Sequence, residues 1–248
     1  MRRRSLLLGL CGLPLLAAAV EGDPVPSVMW DYHHKRLLGG EPFVFDERVK
    51  LGVPPFAEDA RQVPVEVDAR QLPGRFERLV LWAELNPIPH VLTLYPGEGL
   101  EALLAVRIRI EQATAIRAAL RGEDGVWHVG SAWIDAAGGG CTAPSVVRAQ
   151  AGWEQRLGQV HGGAFSRGPN KRLRLKVDHP MDNGLVGGIP EFYLDHAELR
   201  TPEGEVLARL DLFPAVSENP SFSFELRGHP HAKLFLHDNN GNEFEAAL

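Results

Sequence analysis

Cysteine is nearly missing from this chain: Cys11 and Cys141 are the two among 248 residues. Cys11 lies in an N-terminal segment that reads as a removable export signal, so Cys141 is left without a partner in its own chain. That excludes an internal disulfide framework and marks Cys141 as a free, reactive or intermolecular thiol. Long apolar runs are missing too. The one near the N-terminus is shorter than the roughly 20 residues a spanning helix needs, so a retained anchor is the weaker reading. There is no excess of positive charge. Once residues 1–19 and their three arginines are removed, 23 basic face 32 acidic side chains, a net charge of −9. Such a balance suits neither nucleic acid nor an anionic membrane as a partner. No GxSxG, HExxH, Walker or Rossmann pattern occurs, and no acidic pair stands out. The histidines form no ligand set: His229-Pro230-His231 and His33-His34 lie in turn or polar stretches, with no cysteine or carboxylate at metal-ligand spacing, and read as solvated surface.

What is present begins with the export signal. Residues 1–19 carry a basic start (Arg2, Arg3, Arg4), a short apolar run and a small-residue end, Ala17-Ala18-Ala19, with cleavage expected after Ala19. Arg3-Arg4 followed by Ser5-Leu6-Leu7 also fits a twin-arginine signal, and an ordinary export signal fits equally. Leu10 before Cys11 is too large for a good lipid-attachment site.

The rest of the chain reads as strands. Ser27–Leu38 can form one short helix, with Ser27 as its cap and Trp30 and Leu37 pointing inward. Val63–Ala69 alternates apolar and polar at period two, and Arg78–Leu85 is almost continuously apolar up to the Asn86-Pro87 turn. His90–Pro96 pairs with it, Leu104–Leu120 holds a strand that continues as a second one, and Glu123-Asp124-Gly125 turns into Val126–Ala136. Residues 146–168 are mixed in character, with a short helix around Trp153–Leu157, and read as a linker. Strands then resume at Arg172–His179, Phe192–Arg200, Val206–Phe213, Ser221–Arg227 and Ala232–Asp238, with a last short strand after Asn239–Asn242. Short strands with regular turns argue for an all-β chain of two immunoglobulin-like sandwiches, roughly 80 to 115 residues each.

Between the halves stands Asp135-Ala-Ala-Gly-Gly-Gly-Cys141. Gly138, Gly139 and Gly140 do not build a packed core, and catalytic groups must be held still, so a glycine tether is a poor mount for a nucleophile. The tether suits a carrier. About six residues reach roughly 20 Å at ~3.3–3.6 Å per residue, and thiolates form adducts that are released by exchange.

At these residues the chain resembles a known pair of families. The segments Ala57–Val67, Leu85–Pro96, Val106–Ala118 and Ala137–Cys141 are similar to SoxY, and His179–Gly184, Gly187–Leu194, Val216–Gly228 and Leu236–Phe244 are similar to SoxZ. SoxY and SoxZ are the periplasmic carrier pair of bacterial thiosulfate oxidation; here they resemble a fusion. The resemblance implies an immunoglobulin-like sandwich in each half and a covalent sulfur carrier at Cys141, on a flexible arm of Gly138, Gly139 and Gly140. It implies a periplasmic, non-enzymatic protein that holds no cofactor or metal itself, served by separate sulfur-oxidising enzymes.

One departure stands out. In SoxY the cysteine arm is a free chain end, whereas Cys141 is followed by Thr142-Ala143-Pro144-Ser145 and a second domain, with Pro144 stiffening the exit. This form is similar to the SoxYZ-like carriers associated with quinoprotein dehydrogenases. The alternative to a covalent carrier is therefore a cysteine-independent accessory module for such a dehydrogenase, and a homodimer linked through Cys141 is a third reading. The expected organisation is a signal at 1–19, a SoxY-like domain at 20–145, a linker at 146–168 and a SoxZ-like domain at 169–248. The two domains are expected to pair with each other.

Overall fold

A computed structural model describes residues 22–228 and 231–248. The export signal, Cys11 and His229 lie outside the described residues. The first half holds α1 (Trp30–Leu37) and strands β1 (Phe43–Phe45), β2 (Lys50–Gly52), β3 (Phe56–Ala57), β4 (Val63–Asp68), β5 (Phe76–Ala83), β6 (His90–Pro96), β7 (Leu100–Ile108), β8 (Thr114–Gly122) and β9 (Trp127–Ala136). The second holds α2 (Trp153–Arg156), β10 (Val160–Arg167), β11 (Asn170–Val177), β12 (Leu194–Arg200), β13 (Val206–Leu212), β14 (Ser221–Arg227), β15 (Lys233–Asp238) and β16 (Glu243–Ala247).

The chain is all-β, in two layers of immunoglobulin-like strands. One sheet runs β1-β9-β8-β5-β6-β13-β12-β15-β16, with β3 also on β9; the other runs β10-β11-β14-β7-β4-β2. Both sheets cross from one half to the other. β6 pairs with β13 through Leu92↔Leu212 and Leu94↔Leu210, and β7 pairs with β14 through Val106↔Phe222 and Leu104↔Phe224. The halves thus join edge to edge, each giving backbone partners to strands that would otherwise end a sheet and invite aggregation. Their apolar faces merge: Leu79, Leu81, Val106 and Ile108 share one core with Leu173, Leu199, Phe224 and Leu236. Two separate cores, the simplest reading of two sandwiches, are replaced by one.

The continuous apolar run in β5 follows from this layering. Leu79, Leu81 and Ala83 face the main core, while Val80 and Trp82 face outward into a second cluster with Trp30, Leu38, Trp127 and Val129. Helix α1 lies over that outer face and ends at Gly39 and Gly40, both at positive φ, where the Gly40 N–H donates to His34 O at 3.1 Å.

Three expectations change. Ser27 does not cap α1: Met29 is the N-cap residue, and Ser27 Oγ accepts from Met29 N at 3.2 Å, two residues on. His33 is buried rather than solvated, because α1 turns it onto the sheet, where its Nε2 meets Glu84 O at 2.9 Å. The linker is shorter than residues 146–168, since its last part is β10, paired along its length with β11 from Val160↔Val177 to Arg167↔Asn170. As an exposed edge strand, β10 needs no apolar face, so Gly162 and Gly163 hid it from the hydrophobic pattern.

Candidate functional site at the Cys141 loop

The glycines after β9 dock the chain rather than free it. Gly138 and Gly139 hold φ at 102° and 80°, which turns the backbone back onto the body. Gly140 is pressed against the segment after β7 and the one before β4: a Cβ added there would stand 2.1 Å from Ala60 O and 2.4 Å from Ile110 O, so only glycine fits. The Gly139 N–H donates to Glu111 O at 3.0 Å and the Gly140 N–H to Ile110 O at 3.1 Å. The expected flexible arm is, in this structure, a loop seated on the segment after β7 that carries Arg109 and Glu111.

Glu111 then captures the cysteine backbone. Its carboxylate accepts from Cys141 N at 3.0 Å, Thr142 N at 3.2 Å and Thr142 Oγ1 at 3.1 Å. Asn86, from the turn after β5, fixes this strand end by accepting from Glu111 N at 3.0 Å and donating to Arg109 O at 2.7 Å.

The second half closes the loop from the other side. Asn183 Nδ2 donates to Cys141 O at 2.6 Å, and Asn183 Oδ1 in turn accepts from Leu185 N. Glu218 Oε2 accepts from Ser145 Oγ at 2.7 Å and Val146 N at 2.8 Å, while Glu218 O accepts from Gln62 Nε2 at 3.0 Å. Asp182 pairs with Arg148, whose guanidinium lies 4.8 Å from the Trp153 ring centre and 5.5 Å from that of Phe192. His179 is buried; its Nδ1 accepts from Met181 N at 3.1 Å, and burial drops its pKa to about 4. Met181 and Asn219, in the two covering segments, hold positive φ without being glycine, a strained geometry that tertiary packing enforces.

Cys141 is consequently 2% exposed. Burial, then the negative charge of Glu111, push the thiol up to about 12, against an opposing pull from Arg109. In the docked loop the sulfur is protonated at neutral pH and is a poor nucleophile. Along the chain, no cation follows Cys141 until Arg148; the fold supplies Arg109, buried at 2% exposure.

The structure therefore brings Cys141 together with Arg109 and Glu111 from one half and Asp182, Asn183 and Glu218 from the other. Reading Cys141 as the end of a tether missed these residues. They were nevertheless in view, because Val106–Ala118, His179–Gly184 and Val216–Gly228 are among the segments that carried the resemblance. Among the described residues no three His, Cys, Asp or Glu side chains converge as metal ligands. Two hollows lie elsewhere on the described residues. One opens at the Leu100 end of β7, near Arg70, Gly97 and Gly122, and the other on the outer face of the second half, near His196, Phe213 and Phe235.

Comparison with known proteins separates the same two halves. Residues 34–141 match the family model described as sulfur oxidation protein SoxY, the match reaching as far as Cys141, and residues 163–248 match that described as sulphur oxidation protein SoxZ. Among solved structures, the chain is similar to the sulfur carrier protein SoxY from Chlorobium limicola f thiosulfatophilum, at 16% identity and a TM-score of 0.38, over 44% of this chain and 96% of that one. No curated protein matches the chain.

Proposed function

The chain is a SoxY domain followed by a SoxZ domain in one polypeptide, and from that premise we propose that it is a non-enzymatic periplasmic carrier holding a sulfur intermediate covalently on Cys141. The observation that carries this reading is the convergence of both halves on that residue: Glu111 holds its N–H and Asn183 its carbonyl. A solitary cysteine kept only as a small apolar side chain needs no such grip on its backbone. The carrier presents its cargo to separate sulfur-oxidising enzymes, and the docked loop must open for it to do so, since the thiol is buried. Pairing of the two halves is built into the chain, which replaces association of separate subunits by an intramolecular contact. Export by the signal at residues 1–19 puts the protein in the periplasm.

The test is intact mass spectrometry of the mature protein taken straight from periplasm, before and after reduction. An added mass on Cys141 that disappears on reduction is the expected result, and Cys141→Ser should fold normally and lack it. A bare mass under all growth conditions overturns the carrier reading.

The burial of the thiol also supports a second reading, an accessory module for a periplasmic quinoprotein dehydrogenase that needs no covalent chemistry. Co-purification with such an enzyme, undiminished in Cys141→Ser, would favour it. A homodimer linked through Cys141 fits a buried thiol less well, and non-reducing gels on fresh protein decide it.

A further inference from the structure

Alternation along β7 and the residues after it turns Val106, Ile108 and Ile110 into the core and leaves Arg107 and Arg109 on the opposite face. Arg107 reaches solvent. Arg109 does not, because the second half and the Cys141 loop cover it. Its Nη2 donates to two backbone carbonyls, Pro180 O and Met181 O, each at 3.2 Å. Its Nε has no hydrogen-bond partner, and no carboxylate of the described residues lies within 4.0 Å of its nitrogens. The charged groups around it are Glu218, Asp182 and Arg61, and the Cys141 thiol is its other titratable neighbour. Glu218 is engaged by Ser145 and Val146, Asp182 by Arg148, Glu111 by Cys141 and Thr142, and Arg61 by Asp59. A guanidinium removed from water without a counter-ion is costly to keep. Here the unpartnered donor sits one residue before Ile110, whose carbonyl receives the Gly140 N–H next to Cys141. The guanidinium is held by Pro180 and Met181, the latter two residues before the Asn183 that grips the Cys141 carbonyl.

We propose that Arg109 forms an anion subsite for whatever the Cys141 sulfur carries or reacts with, so that the site selects small molecules bearing an oxyanion over neutral ones of the same shape. This rests on the carrier reading for its biological meaning, but the selectivity belongs to the fold and is measurable without any natural cargo. Guanidinium is suited to the task, since it is charged at all working pH values and presents planar donors that match two oxygens at once. The same positive charge favours the thiolate form, against burial and Glu111.

The experiment uses the mature full-length protein and two alkylating agents of nearly equal shape, iodoacetate and iodoacetamide. In both reactions the sulfur forms a bond to the CH2 carbon, the carbon–iodine bond breaks with loss of iodide, and the thiol proton passes to the buffer. The quantity read is the ratio of the two rates, in which any barrier common to both reagents cancels and the charge near the sulfur as the reagent approaches remains. In Arg109→Met the iodoacetate-to-iodoacetamide ratio should fall on the order of threefold to tenfold, as expected for removing one charge at short range in a partly buried site. Arg109→Lys should restore it in part, and Glu111→Gln should raise it. Unfolding would move both Arg109→Met and Glu111→Gln toward the ratio of an unstructured cysteine, so opposite shifts cannot come from loss of fold. A ratio unchanged in Arg109→Met, or moved the same way in both variants, overturns the proposal. Neither result bears on whether an adduct is found on protein from the periplasm, so failure of this subsite and failure of the carrier reading are told apart.

Discussion

Replacing Glu111 by alanine should release the Cys141 loop and expose the thiol. The carboxylate receives Cys141 N, Thr142 N and Thr142 Oγ1. Thr142 faces solvent, so water can replace its share of these bonds, while the Cys141 amide has no such substitute in the docked state. Counting that one bond to a charged acceptor gives about 1.5–3 kcal/mol of docking stability. At about 1.4 kcal/mol per decade, the open fraction should rise about 10-fold to 100-fold. The assay is the alkylation rate of Cys141 by excess iodoacetamide at pH 8, followed by intact mass, on protein from which the export signal has been removed. Gly138–Gly140 remain seated against Ala60 and Ile110 in the variant, so the effect of the carboxylate is read separately from that of the glycine turn. An unchanged alkylation rate, with the thermal transition also unchanged, would refute the view that Glu111 latches the loop.

Gly140→Ala should undock the same loop by a different route, because its Cβ would lie 2.1 Å from one carbonyl oxygen and 2.4 Å from another; faster alkylation is expected, and wild-type protection would sink the idea. The thiol sits at about 12 against an ordinary 9.0. A raised acid pKa means that the docked loop favours the protonated sulfur, so docking is at full strength below about pH 9 and is lost as pH climbs toward 12. Alkylation should therefore keep accelerating through pH 9–10, where an open cysteine levels off, and a plateau at pH 9 would contradict the burial. Arg117, fully buried, pairs with Asp23 at 2.6 Å and Glu84 at 3.0 Å. Arg117→Met leaves two buried carboxylates and should cost about 3–5 kcal/mol in chemical denaturation, whereas a loss near zero would show that the cluster relaxes. Because β6–β13 and β7–β14 join the halves, a chain cut between Gln150 and Trp153 should still behave as one body on a sizing column, and its fragments should separate only on unfolding; halves that part under native conditions would refute a shared core.

Much of the fold is legible in the residues because its causes are local. β4 shows its alternation as Val63, Val65 and Val67 buried between exposed neighbours, and β6 and β14 occupy the very spans that turn residues mark at their ends. What stays hidden is what local pattern does not encode. β10 lies at a sheet edge, mostly exposed, so it carries little of the apolar signal that identifies its partner β11. The joining of the halves through β6–β13 and β7–β14 depends on which strand edges meet. Hydrophobicity reports a buried face and is silent about a backbone edge. His33 belongs with these cases: its burial comes from the angle at which α1 meets the sheet, not from its neighbours in sequence.

The site teaches a sharper lesson about glycine. A run such as Gly138–Gly140 has two physical uses, freedom of the chain and close approach of backbones, and composition does not separate them. Treating it as freedom leads to an exposed thiol on a long arm. The backbone just after β7, through Ile110 O, and Ala60 O beside it enforce the other use, because at Gly140 they leave no room for a side chain. The two uses are compatible in time. The contacts that seat the loop are backbone hydrogen bonds at glycine, two carboxylates and one amide, so its release is governed by Glu111, Glu218 and Asn183. That assigns the halves distinct parts in one act. The first holds the amide of Cys141 and the second its carbonyl, and both grips lie apart from the strand pairs that join the halves.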